Sequence, residues 1–458
     1  MIWISLTVMI LTIALSTACL RDWRGDALGI PLIAIGSFAF LYVIQPTQLL
    51  PGGTYGLFLT DWQMSKGFLV SALMLACYMW GWLYPNQPRR LDSGFWDSRL
   101  LWRVGFVTAC IGLVLYIVFL RVSGGFVHSY SQAHGQAMAW QTNTAYLYDG
   151  PWLMLSGSVM MFLGEPTLKL RRWNSVAPYA FLSVFFLSAI LTGSRESLFA
   201  STTTFFVGSS IVRRRKVGLW QAMGVLLLVG VGVLAMLGYR NFLHLGERPS
   251  EDLPSVESVF NNGAGVSEYD KEHDAAAQEF IVHAVTLDTV DQTGKLDYGI
   301  GWIEFLIINP IPRLIWPDKA MPQPIGVTWG DIREHTSLNI ASGSACGIVA
   351  DLYQRFHLLS VFFFFFLGFG LRRLFIAARS LSSPVTVVGY VMVYAFSLTM
   401  YAQGFSATFV PLAYSMVPVV LYSWVTKESR RKAKLRQRAL ILQQVAALNG
   451  AQWSSSRS

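Results

Sequence analysis

Apolar runs of about 15 to 22 residues recur along the chain near 2–20, 27–44, 67–84, 100–120, 151–164, 175–192, 197–212, 217–238, 356–371, 385–401 and 406–425. At about 1.5 Å per residue in a helix, such runs cross a hydrocarbon core of about 30 Å, and they predict about eleven transmembrane helices. The runs at 151–164 and 197–212 are short, so each also fits a re-entrant or buried segment. No basic residue precedes the first run, and "LSTAC" ending at Cys19 only approaches a lipoprotein cleavage box, so this run reads as a retained helix.

The polar stretches between the runs alternate in charge. Arg21 and Arg24, then Arg89, Arg90 and Arg99, then Lys169, Arg171 and Arg172, then Arg213 to Lys216, then Arg372, Arg373 and Arg379, and the tail "KESRRKAKLRQR" fall in every second loop. The loops between them hold almost no Lys or Arg. Because basic residues accumulate on the cytoplasmic side, this phase predicts an N-terminus outside and a C-terminus inside. The organisation expected is helices 1–8 over 1–238, a large extracytoplasmic loop over 239–355, helices 9–11 over 356–425 and a basic cytoplasmic tail over 426–458.

Composition agrees with this pattern: 53% of residues are hydrophobic and only 13% charged, against about 25% charged in soluble domains. The net charge of +9 does not point to nucleic acid, since the basic residues sit where they anchor to anionic lipid. About seventeen of the 26 acidic residues fall within 239–355, against about eight Lys and Arg, so the outer loop is acidic. Cys19, Cys77 and Cys110 lie in apolar runs and Cys346 stands alone outside, which gives no disulfide framework and no CxxC pair. The sequence carries no P-loop, GxGxxG or internal repeat, and the seven histidines show no metal-ligand spacing. Neither a metal site nor a cofactor is expected.

The outer loop, about 115 residues long, is too long for a simple connection. In "AAAQEFIVHAVTLDTV" (275–290), Phe280, Ile281, Ala284 and Leu287 recur at helical spacing, with Glu279 and His283 one turn apart on the other face. This predicts an amphipathic helix lying on the membrane or on the bundle, its polar pair on a solvated face. "GIGWIEFLIINPIPRLIWPDK" (299–319) is apolar for too few residues to span, and its prolines end it in a turn carrying Arg313, Trp316 and Lys319. An interfacial or re-entrant hairpin is expected there.

In "LTGSRESL" (191–198), Arg195 and Glu196 interrupt two apolar runs at the outer face. An arginine there has a plain role, reaching lipid phosphates from the interface. Its setting adds a second: Ser194 stands where the next helix begins, so free backbone N–H groups and the positive helix end meet the guanidinium at an anion site. Arg240 in "LGYRNF" and Arg313 lie at the same boundary. Three arginines there fit a phosphate or diphosphate carried on lipid, which a guanidinium grips in bidentate fashion.

"LTGSRESL", "NPIPRLIWPDKAMPQPIGVTWG", "GIVADLYQRF" and "GGFVHSYSQAHG" together resemble the Wzy-type oligosaccharide repeat-unit polymerases of bacterial O-antigen and related surface polysaccharides. The resemblance covers most of the chain in architecture but only these patches in residues. The Arg-x10-Gly pattern of some members is absent, since neither Arg240, Arg313 nor Arg333 has a Gly eleven positions on, so roles tied to that pattern do not transfer. The resemblance implies an all-α polytopic protein of the bacterial inner membrane with a C-type glycosyltransferase-like bundle, active at the periplasmic face. It implies transfer of a growing glycan from one undecaprenyl pyrophosphate carrier to a sugar hydroxyl of the next lipid-linked repeat unit, without a nucleotide sugar. A Wzz-like chain-length regulator, and the flippase and ligase of the same pathway, are the partners it implies.

On this reading Arg195, Arg240 and Arg313, with Lys319 and Ser194, bind diphosphates and stabilise the charge of the leaving group. His283, Glu279, Glu196 and Asp351 are the candidates for the general base. Tyr130, Gln132, Trp302 and Trp316 are candidates for contacts to sugar, with packing in an interfacial aromatic belt as the plainer role. An O-antigen ligase, with the same donor but lipid A-core as acceptor, is the alternative enzyme. A flippase for the lipid-linked unit is the non-enzyme alternative, and it predicts polar groups inside the bundle at mid-membrane depth.

Overall fold

The computed structural model describes residues 1–20, 28–50, 58–85, 96–122, 150–164, 172–192, 195–218, 279–307, 326–336 and 345–427, with isolated positions at 56, 147, 275–276, 316, 338–340 and within 220–231. Among these the chain is almost wholly helical. Its helices are α1 (Ile2–Leu20), α2 (Ile30–Ala39), α3 (Gln45–Leu49), α4 (Asp61–Leu83), α5 (Ser98–Val122), α6 (Trp152–Gly164), α7 (Arg172–Thr192), α8 (Arg195–Val212), α9 (Glu279–Thr293), α10 (Ile300–Ile307), α11 (Trp329–Thr336), α12 (Gly347–Phe356), α13 (Ser360–Arg379), α14 (Pro384–Gln403) and α15 (Phe405–Val425). One two-residue parallel pair, Ala275–Ala276 with Asn339–Ile340, joins the segments that flank α9 and α11.

Among the described residues, seven stretches are long and apolar enough to cross a membrane: Ile2–Leu20, Pro31–Leu49, Asp61–Leu83, Ser98–Val122, Gly347–Arg379, Pro384–Gln403 and Phe405–Val425. The chain is therefore a multi-pass helical membrane protein. The expected runs at 151–164 and 175–192 form shorter apolar helices, and most of 217–238 falls outside the described residues. All of Trp152–Gly164 except Leu153 is buried, as a segment enclosed by other helices requires.

Several boundaries move from where apolar runs alone put them. Helix α4 begins at Asp61, six residues before its apolar run, because Thr60 and Gln63 form a reciprocal capping box that closes its first turn. Lys66 thereby comes inside the helix. Helix α13 continues to Arg379, so Arg372 and Arg373 lie on its last turns and not in a loop. Arg372 donates to the carbonyls of Trp82 and Tyr84 at 2.7 and 2.8 Å, which satisfies the open C-terminus of α4 with a cation where the helix dipole favours one. Between α2 and α3 the helix widens into a π-segment, Phe40–Ile44. Pro46 has no N–H to return to the carbonyl of Tyr42, and the amide of Gln45 reaches back to Phe40 instead.

Helix α14 sits at the centre of the bundle, touching α2, α6, α8, α12, α13 and α15. A capping box at Ser383 and Thr386, with Pro384 in the first turn, starts it. Helix α13 lies along α4, and α6 along α5. Both crossings are made by glycine, since lipid supplies no hydrophobic drive and close backbone approach must hold the pair. A Cβ on Gly81 would overlap the carbonyl of Phe365, and one on Gly368 the carbonyl of Tyr78. Gly105 and Gly157 face each other in the same way.

These contacts also sort the ends of the helices. Arg379 donates to the carbonyl of Arg215 and Arg213 to the hydroxyl of Tyr179, so the C-terminal ends of α4, α8 and α13 gather at one pole with Arg213, Arg215, Arg372 and Arg379. The opposite pole holds Asp61, Asp288, Asp291, Asp297 and Asp351.

Substituting Gly368 or Gly81 with Leu is expected to separate α4 from α13 and to destabilise the protein by about 1–3 kcal/mol or more. Gly370→Ala, at a position with open space around its Cα, is expected to leave stability unchanged or slightly raised. Thermal unfolding in detergent followed by size-exclusion chromatography distinguishes the two.

Candidate functional site

The acidic pole is built around α9, which lies outside the candidate spans, with side chains of α4, α12 and α15. Helix α9 enters between α4 and α12, and every residue from Phe280 to Val290 is buried. The expected amphipathic helix with a solvated Glu279/His283 face is therefore corrected: from Phe280 to Val290 the helix is enclosed on all sides, so His283 has no solvated face to lie on. His283 is 1% exposed. Its Nε2 lies 3.1 Å from the Ser71 hydroxyl and its ring 4.8 Å from that of Tyr42. Burial lowers its pKa to about 4, so the imidazole is neutral at physiological pH. Glu279 accepts a 2.5 Å hydrogen bond from the amide of Gln45, which the π-segment turns towards it.

Two charged clusters follow along α9 and α12. In the first, Lys66 binds Oδ2 of Asp291 at 2.6 Å and the carbonyl of Leu287 at 2.8 Å, with its ammonium over the ring of Tyr353. Oδ1 of the same carboxylate accepts from the Tyr353 hydroxyl at 2.8 Å and lies 2.9 Å from Nε2 of His357. Burial alone would raise the Asp291 pKa; the bonds from Lys66, Tyr353 and His357 outweigh it and hold the carboxyl below its ordinary value. Asp288, one turn earlier, accepts from Gln63 and Gln292, both at 2.8 Å.

In the second cluster, Arg355 lies between Asp351 on its own helix and Asp297 ahead of α10, and pairs with both. It also donates to the hydroxyl of Ser406 at 2.7 Å and stacks 5.0 Å from the indole of Trp302, whose Nε1 donates to the same hydroxyl. Asp351 accepts from the backbone N–H of Ser406 at 3.0 Å, placing a carboxylate on the positive end of α15. Gly404, at φ 114°, lets the chain turn from α14 into α15 directly over this side chain, where a Cβ would come within 2.9 Å of the Asp351 Cβ.

Of the residues singled out in the sequence, Asp351 and Trp302 meet in the second cluster, while Glu279 and His283 lie deeper on α9 with Gln45 and Ser71. Trp316 is exposed. Helix α8 starts at Arg195, the helix start its sequence predicts, with Glu196 half-buried in the first turn. Ser194, Arg240, Arg313, Lys319, Tyr130, Gln132 and the side chain of Arg195 lie outside the described residues.

Arg355, Asp297, Lys66, Asp291, Tyr353, His357 and Ser406 are the members that sequence reasoning missed. Two left a trace: the spacing of Asp351 and Arg355 in "DLYQR" is that of a helical ion pair, and Lys66 is a lone cation at the edge of an apolar run. No group of His, Cys, Asp and Glu with metal-binding geometry occurs among the described residues. No family model, curated protein or solved structure matches the chain.

Chemically, the pole offers carboxylates, an imidazole and an aromatic face beside cations, a set suited to binding hydroxylated ligands and moving protons. Arg355→Met is expected to leave two buried carboxylates facing each other and to cost about 3–5 kcal/mol. Adding Asp297→Asn and Asp351→Asn is expected to recover most of that loss, and Arg355→Lys little, because one ammonium cannot reach three partners. Thermal denaturation of the purified variants reads each difference.

Proposed function

We propose that the protein is a Wzy-type polymerase, which joins undecaprenyl-pyrophosphate-linked repeat units by glycosyl transfer from one lipid carrier to the next. The observation that carries this reading is the acidic pole built around α9, a helix of the outer loop on this reading that is driven in between α4 and α12. Burying Lys66, Asp297, Asp351 and Arg355 there is costly, and ionisable groups kept among membrane spans mark sites of function.

In this proposal the acidic pole faces the periplasm. Departure of the diphosphate from the anomeric carbon builds negative charge on the leaving group, which Arg195, Arg240 and Arg313, assisted by Lys319, would stabilise. The motif resemblance supports the donor class. The start of α8 at Arg195 supports an anion site in which a guanidinium and helix N–H groups converge. A Wzz-like regulator would set chain length.

One observation favours a second reading. Gln45, Glu279, Ser71 and His283 place polar groups inside the bundle, as a transporter of lipid-linked oligosaccharide would require.

In cells, Arg195→Ala is expected to abolish polymer while single repeat units are still displayed and the protein stays inserted, with Arg195→Lys recovering little. Normal chain ladders from the alanine variant refute the assignment. Purified protein that moves lipid-linked units across vesicles without lengthening them selects the transporter. Reporter fusions near residue 290 are expected to report a periplasmic position.

A further inference from the structure

The Asp291–His357 pair is not used in the mechanism above, and its geometry is specific. His357 closes α12 at φ 48° and ψ −135°, a left-handed conformation that an imidazole-bearing residue adopts only under constraint. Backbone strain of this kind costs about 1–3 kcal/mol and is concentrated where a side chain must be held for function. Here it aims the ring at Asp291.

The hydrogen bonds fix the tautomer. Asp291 is an acceptor on both oxygens, Oδ2 to Lys66 and Oδ1 to the Tyr353 hydroxyl. Nε2 of His357 lies 2.9 Å from both Oδ1 and the Tyr353 hydroxyl, whose own proton goes to Oδ1, so Nε2 carries the proton of these contacts, and in the neutral ring Nδ1 is left with a lone pair. The side chains of His357 and Asp291 are 40% and 41% exposed, while Lys66 beneath them is 8% exposed. The buried face of the carboxylate is thus locked, and the imidazole stands at an open surface. The groups facing it are Lys66 from α4, Asp291 from α9 and Tyr353 from its own helix.

By contrast, His283 is enclosed, Glu279 is bound to Gln45, and Asp351 is committed to Arg355 and Ser406. A base oriented by a carboxylate through one nitrogen and presenting the other is the arrangement that nucleophile activation uses.

We propose that His357, oriented by Asp291, is the general base that activates the acceptor sugar hydroxyl in lipid-linked glycan transfer. This rests on the polymerase reading. In the step, the hydroxyl oxygen forms a bond to the anomeric carbon of the donor glycan. The bond from that carbon to the diphosphate oxygen breaks with its electron pair leaving on the polyprenyl diphosphate. The hydroxyl proton passes to Nδ1 of His357 and then to water.

The test uses the full-length protein in phospholipid nanodiscs with synthetic undecaprenyl-diphosphate-linked repeat units, comparing wild type with His357→Gly. Glycine accepts φ 48° without strain, so this variant keeps the backbone while losing the base. Turnover is expected to fall by about 10²–10⁴-fold. KM is expected to stay within about threefold, since the base acts on the chemical step. Added imidazole is expected to restore part of the rate. Turnover within about threefold of wild type, or a loss that imidazole does not relieve, overturns the assignment. A wild-type protein inert towards these carriers overturns the polymerase reading and the base with it; an active wild type with an undiminished H357G overturns the base alone.

Discussion

A guanidinium taken out of water dictates what surrounds it. Arg355 is 8% exposed, and its charge is tolerable there only because two carboxylates, a hydroxyl and an indole face converge on it. Each partner comes from a different part of the chain: Asp297 from the approach to α10, Trp302 from α10, Ser406 from the first turn of α15 and Asp351 from α12 itself. Satisfying this one charge therefore fixes how three helices meet at the acidic pole. The second carboxylate is not surplus, because the open N–H groups of α15 share it.

Lys66 plays the corresponding part on the other side of α12. An ammonium five residues into α4 cannot reach bulk water from a packed helix face, so its compensation must come from a neighbour. Helix α9 supplies it twice, through the Asp291 carboxylate and the Leu287 carbonyl. Tyr353 links the two clusters, since its hydroxyl binds Asp291 while it sits between Asp351 and Arg355 on α12. The geometry of the exposed imidazole at His357 thus depends on charges settled deeper in the protein.

Much of the fold was legible in the sequence, because crossing a hydrocarbon core imposes a length and an apolar composition that single residues cannot disguise. The spans α1, α5, α14 and α15 fall close to their apolar runs. What hydropathy missed at α4 was chemistry of a different kind, a side-chain cap at Thr60 and Gln63, and with it the cation that organises the site. Helix α9 was legible as a helix but not as an interior one. Its apolar spacing resembles that of a surface helix, and only the facing side chains Gln45, Gln63, Lys66 and Ser71 show that its polar positions are matched inside the protein. Such matches join residues more than two hundred positions apart, beyond any local pattern. His357 left no trace at all, since a positive φ at a non-glycine residue has no sequence signature.

The enclosure of α9 bears on how the protein is made. At 15 residues, with Glu279, His283, Asp288 and Asp291 along it, α9 is too short and too polar to partition into lipid as an independent segment. It is also synthesised before α12, which forms one wall of its binding site. Helix α9 can therefore settle into its slot only once α12 has been made, in a place that the other helices have left for it. The acidic pole thus closes late in biogenesis, after the helices that wall it are in place.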